Sequence, residues 1–207
     1  MENGGQESNF QVRVARSDDL ELYLAHSRAA QQRIRQRGLA QYVPAAHDAY
    51  RDAMQQRIDR GTLYVVEDVS PFACVPTFPP SMSAGLGESD SINHATLRAA
   101  AFFNLEQTRS EWWQADLVPA AYLAGMVVAS QWSGRGVGRW VVAWCLAQAV
   151  QWRCFALRLD CHAGNAWLRN YYESLGFELR GYVAMQPGYD GCLYERPVSG
   201  FPASFTS

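Results

Sequence analysis

The feature that most constrains this chain is a run of alternating glycines, Gly134-Arg135-Gly136-Val137-Gly138, set between two segments of different periodicity. Before it, Tyr122 to Val128 is apolar on both faces, the pattern of a strand that lies centrally in its sheet. After it comes a helix from Arg139 to about Trp152, whose apolar residues Val141, Val142, Cys145, Leu146, Ala149 and Val150 share one face. Strand, glycine-rich loop and helix together are an arrangement for holding phosphate. The first amides of a helix lack intrahelical partners, and the helix dipole leaves partial positive charge there. Glycines let the backbone approach a diphosphate without a Cβ in the way. A turn that merely needs one positive φ would explain one glycine but not three in alternation.

The rest of the chain reads as an α/β domain. Phe10 to Ala15 alternates as a first strand, and Ser17-Asp18-Asp19 is a cap signal for a helix running to Gln36 and ending near Gly38. Pro44 opens a second helix with Ala46, Ala49, Tyr50, Ala53 and Met54 on one face, closed by Gly61. Leu63 to Val66 is a strand, and Ala99 to Leu105 another. Between them Ser70 to Asn93 shows no period and is rich in Pro, Gly and Ser, a length of loop that is uncommon unless functional or disordered. Trp112 and Trp113 sit in a connector. Phe155 to Cys161 is a strand, and Asn165 caps a helix with Leu168, Tyr171, Tyr172 and Leu175 on its apolar face. Phe177 to Ala184 and Cys192 to Arg196 close the sheet. The expectation is one mixed α/β domain over residues 10–196, with an insertion at about 70–98, a disordered 1–9 and a loose tail at 197–207.

Bulk properties narrow the partners. The chain has 207 residues, 48% hydrophobic and 18% charged, which suits one globular domain. A net charge of −2 without blocks of like charge gives no sign of nucleic acid or an anionic membrane surface. The polar start lacks a signal-peptide core, and no apolar run approaches the ~20 residues that span a bilayer. Five scattered cysteines form no CxxC pair, so a disulfide framework or metal site is not expected, and a reducing cytoplasm fits.

Three kinds of phosphate loop compete. A P-loop needs a lysine after its last glycine, where this chain has Arg139. The dinucleotide fingerprint needs a third glycine at that same position, although Asp160 lies at a strand end about where its acidic residue would fall. The third kind fits further. Gln131-Trp132-Ser133-Gly134-Arg135-Gly136-Val137-Gly138, followed by Asn165, Tyr171-Tyr172-Glu173-Ser174-Leu175-Gly176-Phe177 and Leu193-Tyr194-Glu195-Arg196, resembles the GNAT (Gcn5-related N-acetyltransferase) superfamily. The likeness is specific from about Ala121 to Arg196. Ser133 stands where that family usually has Arg or Gln.

The resemblance implies a central mixed sheet of about six to seven strands with about four helices, and acetyl-CoA as co-substrate. The backbone of Met126, Val127 and Val128 would pair with the pantetheine arm. The loop from Ser133 through Gly134, Arg135, Gly136, Val137 and Gly138 to Arg139 would hold the pyrophosphate. Asn165 would hydrogen-bond the arm, serve as a plain helix cap, or both. Tyr172 would protonate the leaving thiolate, unless it is only a core aromatic; its neighbour Tyr171 has no assigned role. The general base stays open between His162, Glu106 and a water, because the family's glutamate position is Tyr122 here. The expected activity is acetyl transfer by direct attack of a primary amine, most simply that of a small molecule, with protein N-terminal or lysine acetylation as the near alternative. A homodimer is compatible with this reading. Two other classes stay open: an acyl-CoA-binding regulatory module, and a dinucleotide oxidoreductase argued from Asp160.

Overall fold

The computed structural model describes residues 9–38, 47–70, 98–108, 111–113, 118–186 and 189–198. The expected disordered start, most of the 70–98 insertion and most of the tail lie outside them. The strands are β1 (Phe10–Val14), β2 (Leu63–Asp68), β3 (Ala99–Glu106), β4 (Ala120–Val128), β5 (Ala156–His162), β6 (Glu178–Gln186) and β7 (Tyr189–Pro197). The helices are α1 (Leu20–Gln36), α2 (His47–Asp59), α3 (Val137–Gln151) and α4 (Ala166–Ser174), with short 3-10 turns at Ser17–Asp19, Glu111–Trp113 and Ser130–Trp132. The strands form one sheet in the order β1-β2-β3-β4-β5-β7-β6, in which only β4 and β5 run parallel. Among the described residues no helix is long and apolar enough to cross a membrane.

Each face of the sheet has its own core, because strand side chains alternate. On one face Phe103, Leu105, Ala121, Leu123, Leu157, Leu159 and Cys161 meet α3 and α4 through Val141, Val142, Cys145 and Tyr172. On the other, Val65, Ala99 and Phe102 pack on Tyr23 and Leu24 of α1 and Met54 and Ile58 of α2. α3 begins at Val137, two residues earlier than its sequence pattern suggests. Val137 is buried, whereas Val150, expected in the stripe, is 46% exposed. Each fully buried valine of this stripe contributes about 1.5–3 kcal/mol, so the early start adds one such residue to the core.

The entry to α1 is held by charge. Asp19 accepts two hydrogen bonds from Arg13 (2.6 and 2.8 Å) and one from the Arg16 amide (2.7 Å). Arg13 also reaches Glu67 on β2 at 2.8 Å, so one guanidinium ties β1, β2 and α1 together. Burial alone would raise the Asp19 pKa, but these hydrogen bonds outweigh it and hold the carboxyl below its ordinary value.

Candidate active site

The central strands part. β4 and β5 pair only at Ala120↔Ala156, Ala121↔Leu157 and Tyr122↔Arg158. Beyond Tyr122, β4 continues to Val128 beside β3 alone, and β5 continues to His162 beside β7 alone. The bend has a local cause. Gly125 has φ +58°, and the register slips from Asn104↔Ala124 to Phe102↔Val127, so Gly125 and Met126 together stand opposite Phe103. This is a β-bulge, which bends its strand and locally increases the twist. The result is a fork with an unpaired strand edge on either side, able to take an extended amide-bearing chain as an added strand.

The glycine loop lies beyond the open end of β4. Gly136 caps α3 with φ +80°, and a Cβ built on it meets nothing within 4 Å, so the space before the helix amides is open. The loop is anchored from behind. Trp132 is buried against Phe10 (5.5 Å between rings), which also packs on Trp140 (5.4 Å). Arg33 of α1 reaches Ser130 Oγ and donates to the Val128 carbonyl at 3.2 Å. One lone pair of that carbonyl is therefore engaged, and Met126 offers the freer backbone for a ligand. Arg135 is exposed and lies 5.4 Å over the Trp132 ring; Arg139 is exposed in the first turn of α3. Both cations stand at the loop.

α4 brings its residues to the same region. Asn165 is buried and its Oδ1 accepts from the Leu168 amide at 3.0 Å, so it does cap the helix. Tyr172 is buried among Phe177 (5.7 Å), Tyr171 (5.4 Å) and Tyr194 (6.4 Å). Burial, with Cys161, Tyr171 and Asp160 nearby, pushes its phenol well above the ordinary value. It stays protonated at neutral pH, as a donor must. Tyr171 is not idle. A Cβ on Gly138 would lie 2.6 Å from the Tyr171 hydroxyl and 3.6 Å from Met126 Cε. The hydroxyl therefore packs against the glycine loop itself, and the ring stacks on Trp167 at 5.7 Å.

On the α1/α2 side of the fork lies a cavity of about 380 Å³ lined by Arg57 and Arg60 of α2, Glu106 of β3, Trp112 and Trp113, residues 122–124 of β4 and residues 158–160 of β5. Arg158 forms its floor. It is 1% exposed, bonded to Glu195 (2.7 Å) and the Tyr122 hydroxyl (3.2 Å), with Trp113 stacked at 4.4 Å. Of the expected bases, Glu106 lines this cavity and accepts from Asn104 Nδ2 at 2.9 Å. His162 is the last residue of β5, and its Nδ1 accepts from the Gly164 amide at 2.9 Å. That bond favours the Nε2–H tautomer, whose other nitrogen donates, the wrong polarity for taking a proton. The residue that sequence reasoning did not place here is Asp160. Its signal was the alternation Arg158-Leu159-Asp160, which puts two charges on one face of an otherwise apolar strand. The oxidoreductase reading of Asp160 fails on topology: one parallel pair, flanked by antiparallel strands, is not a dinucleotide-binding half.

A forked sheet, with an anion-receptive helix end at its mouth and a polar cavity behind it, defines a site for a long phosphate-bearing ligand that presents its far end to a second substrate. Residues 99–177, from β3 through the turn after α4, match the model of the acetyltransferase (GNAT) family, and the chain carries a domain of that family. No curated protein matches the chain in sequence. Solved structures match its fold. A GNAT-family acetyltransferase of Streptococcus agalactiae superposes with a TM-score of 0.66 at 15% identity, over 91% of this chain and 95% of that one. One of Listeria monocytogenes gives 0.62 at 20%, over 91% and 94%. The ribosomal-protein-S18-alanine N-acetyltransferase of Escherichia coli gives 0.56 at 14%, over 96% and 100%. At such identities the likeness is one of fold.

Proposed function

We propose that this protein transfers the acetyl group of acetyl-CoA to the primary amine of a small molecule, both substrates being bound at once. The observation that carries the reading is the fork between β4 and β5 with the Gly136-capped start of α3 at its mouth. Acetyl-CoA supplies an activated acyl carbon. Amides from Gly134 to Arg139 would face the pyrophosphate, with Arg135 and Arg139 adding charge. The free edge at Met126 would pair with the pantetheine arm, and Asn165 borders it. The cavity on the far side of the fork would hold the amine. Its size, at the lower end of the about 300–1,000 Å³ typical of ligand sites, favours a small molecule over a folded protein.

Attack requires an unprotonated nitrogen, so the ammonium proton must go to a base in the cavity, where the carboxylates are Glu106 and Asp160. The Tyr172 hydroxyl would give a hydrogen bond or proton to the departing sulfur. The buried cysteines are not nucleophiles: burial pushes the thiols of Cys145, Cys161 and Cys192 up, away from the reactive thiolate. Titration with acetyl-CoA, coenzyme A and NAD(H), followed by thiol release with a broad amine panel, tests the proposal. Binding of the first two and amine-dependent thiol release are expected. Binding of NAD(H) alone would overturn it, and binding without turnover on any amine or peptide would leave a regulatory module.

A further inference from the structure

The acceptor cavity is not a neutral slot. Arg158 is neutralised by Glu195, but Arg57 and Arg60 make no hydrogen bond or ion pair with any described residue. Arg57 is half-buried, and its Nη1 would lie 3.4 Å from a Cβ on Gly125, at the bulge that opens the fork. A cation held beside the reaction centre with its fork of donors unused is a site for an anion. Across the gap, Asp160 is the first residue on this face of β5 beyond the last β4–β5 pair, Tyr122↔Arg158. It thus stands at the crotch of the fork, where an acyl group inserted from the other side would emerge. The cavity therefore offers an acid on one strand and a base-binding cation over the other, near the same opening.

Resting on the acetyltransferase reading above, we propose that the acceptor is an amine that also carries an anionic group, an amino-acid-like zwitterion, whose anion Arg57 holds while Asp160 receives the ammonium proton. Asp160 is held near neutrality of response by its setting: burial raises its pKa, and Arg57 opposes the rise. The proton balance is simple. The substrate ammonium gives one proton to the Asp160 carboxylate, which later returns it to solvent. The nitrogen lone pair forms the C–N bond as the C–S bond breaks with its electron pair on sulfur. The second nitrogen proton reaches that sulfur by way of the Tyr172 hydroxyl. Glu106, bonded to Asn104 further along the wall, and Arg60, exposed at the rim, would select among side chains.

The test compares the free amino acids with their amides, pair by pair, in acetyl-CoA-dependent thiol release by the intact chain. The best amino acid should exceed its amide in kcat/KM by about 10- to 100-fold, the range over which one charge-assisted contact discriminates. Arg57→Gln should bring that ratio close to one, and Arg57→Lys should restore part of it, with acetyl-CoA affinity measured by calorimetry as the check on folding. Asp160→Asn should lower kcat by about 10²–10⁴. Amides or uncharged amines preferred over amino acids, a ratio untouched by Arg57→Gln, or full turnover in Asp160→Asn would each overturn the proposal. So would turnover confined to peptides. Failure to bind acetyl-CoA would instead remove the acetyltransferase reading beneath it, so the two failures are distinct.

Discussion

Gly138 and Tyr171 should be energetically coupled. Gly138 is the second residue of α3 and has no positive φ, so its backbone accepts alanine. Helix propensity alone would make Gly138→Ala stabilising by up to about 1 kcal/mol. The opposing effect is steric. The new Cβ would sit 2.6 Å from the Tyr171 hydroxyl, while the ring carbon behind it, at 3.5 Å, is an ordinary contact. Tyr171 cannot swing away freely, because its ring stacks on Trp167 within 3° of parallel. Overpacking of this kind costs about 1–3 kcal/mol, so the single variant should be destabilised by about 0–2 kcal/mol net. In a Tyr171→Phe background the clash is gone, and Gly138→Ala should become neutral or stabilising. Urea and thermal unfolding of the four proteins in the cycle would measure a coupling of about 1–3 kcal/mol, with each kcal/mol shifting Tm by about 2–4 °C at this size. Additivity within about 0.5 kcal/mol would refute the contact. The same geometry means that Tyr171→Phe is not the neutral control that the sequence suggests.

Gly136→Asp should abolish acetyl-CoA binding in a folded protein, since the side chain would enter the open space before α3 with the wrong charge; unchanged affinity by calorimetry would exclude the loop as the phosphate site. Tyr172→Phe should lower turnover about 10- to 1,000-fold with little change in acetyl-CoA affinity, because only the hydroxyl is removed; full activity would leave Tyr172 a core aromatic. The Asp19 carboxyl, whose pKa is lowered on folding, contributes stability that is present above its unfolded value near 4 and lost as pH falls through the folded one. Asp19→Asn should therefore cost about 1–3 kcal/mol at pH 7 and progressively less in acid, and an equal cost at pH 7 and pH 3 would contradict the ion-pair account.

Local signals were legible and non-local ones were not. The glycine loop, the α3 stripe, the Asn165 cap and the central position of β4 all follow from spacing along one segment, and the structure shows each of them. The fork does not, because residues 120–128 read as a strand whether or not they keep their neighbour. Gly125 inside that apolar run was the one mark of it, since a strand-interior glycine often signals a bulge. The cavity was still less accessible: Arg57 and Asp160 are a hundred residues apart, and neither has a motif. Tyr171 and Tyr172 share a helical stripe, and only the fold shows one reaching the loop and the other the core.

The central claim is that acetyl-CoA lies in the fork with its phosphates on the start of α3. Backbone amide exchange, followed with and without acetyl-CoA, tests it directly. The account predicts new protection confined to Met126–Val128 and Gly134–Arg139, on the free edge of β4 and in the glycine loop. Protection elsewhere, or none at these amides at saturating acetyl-CoA, would contradict it.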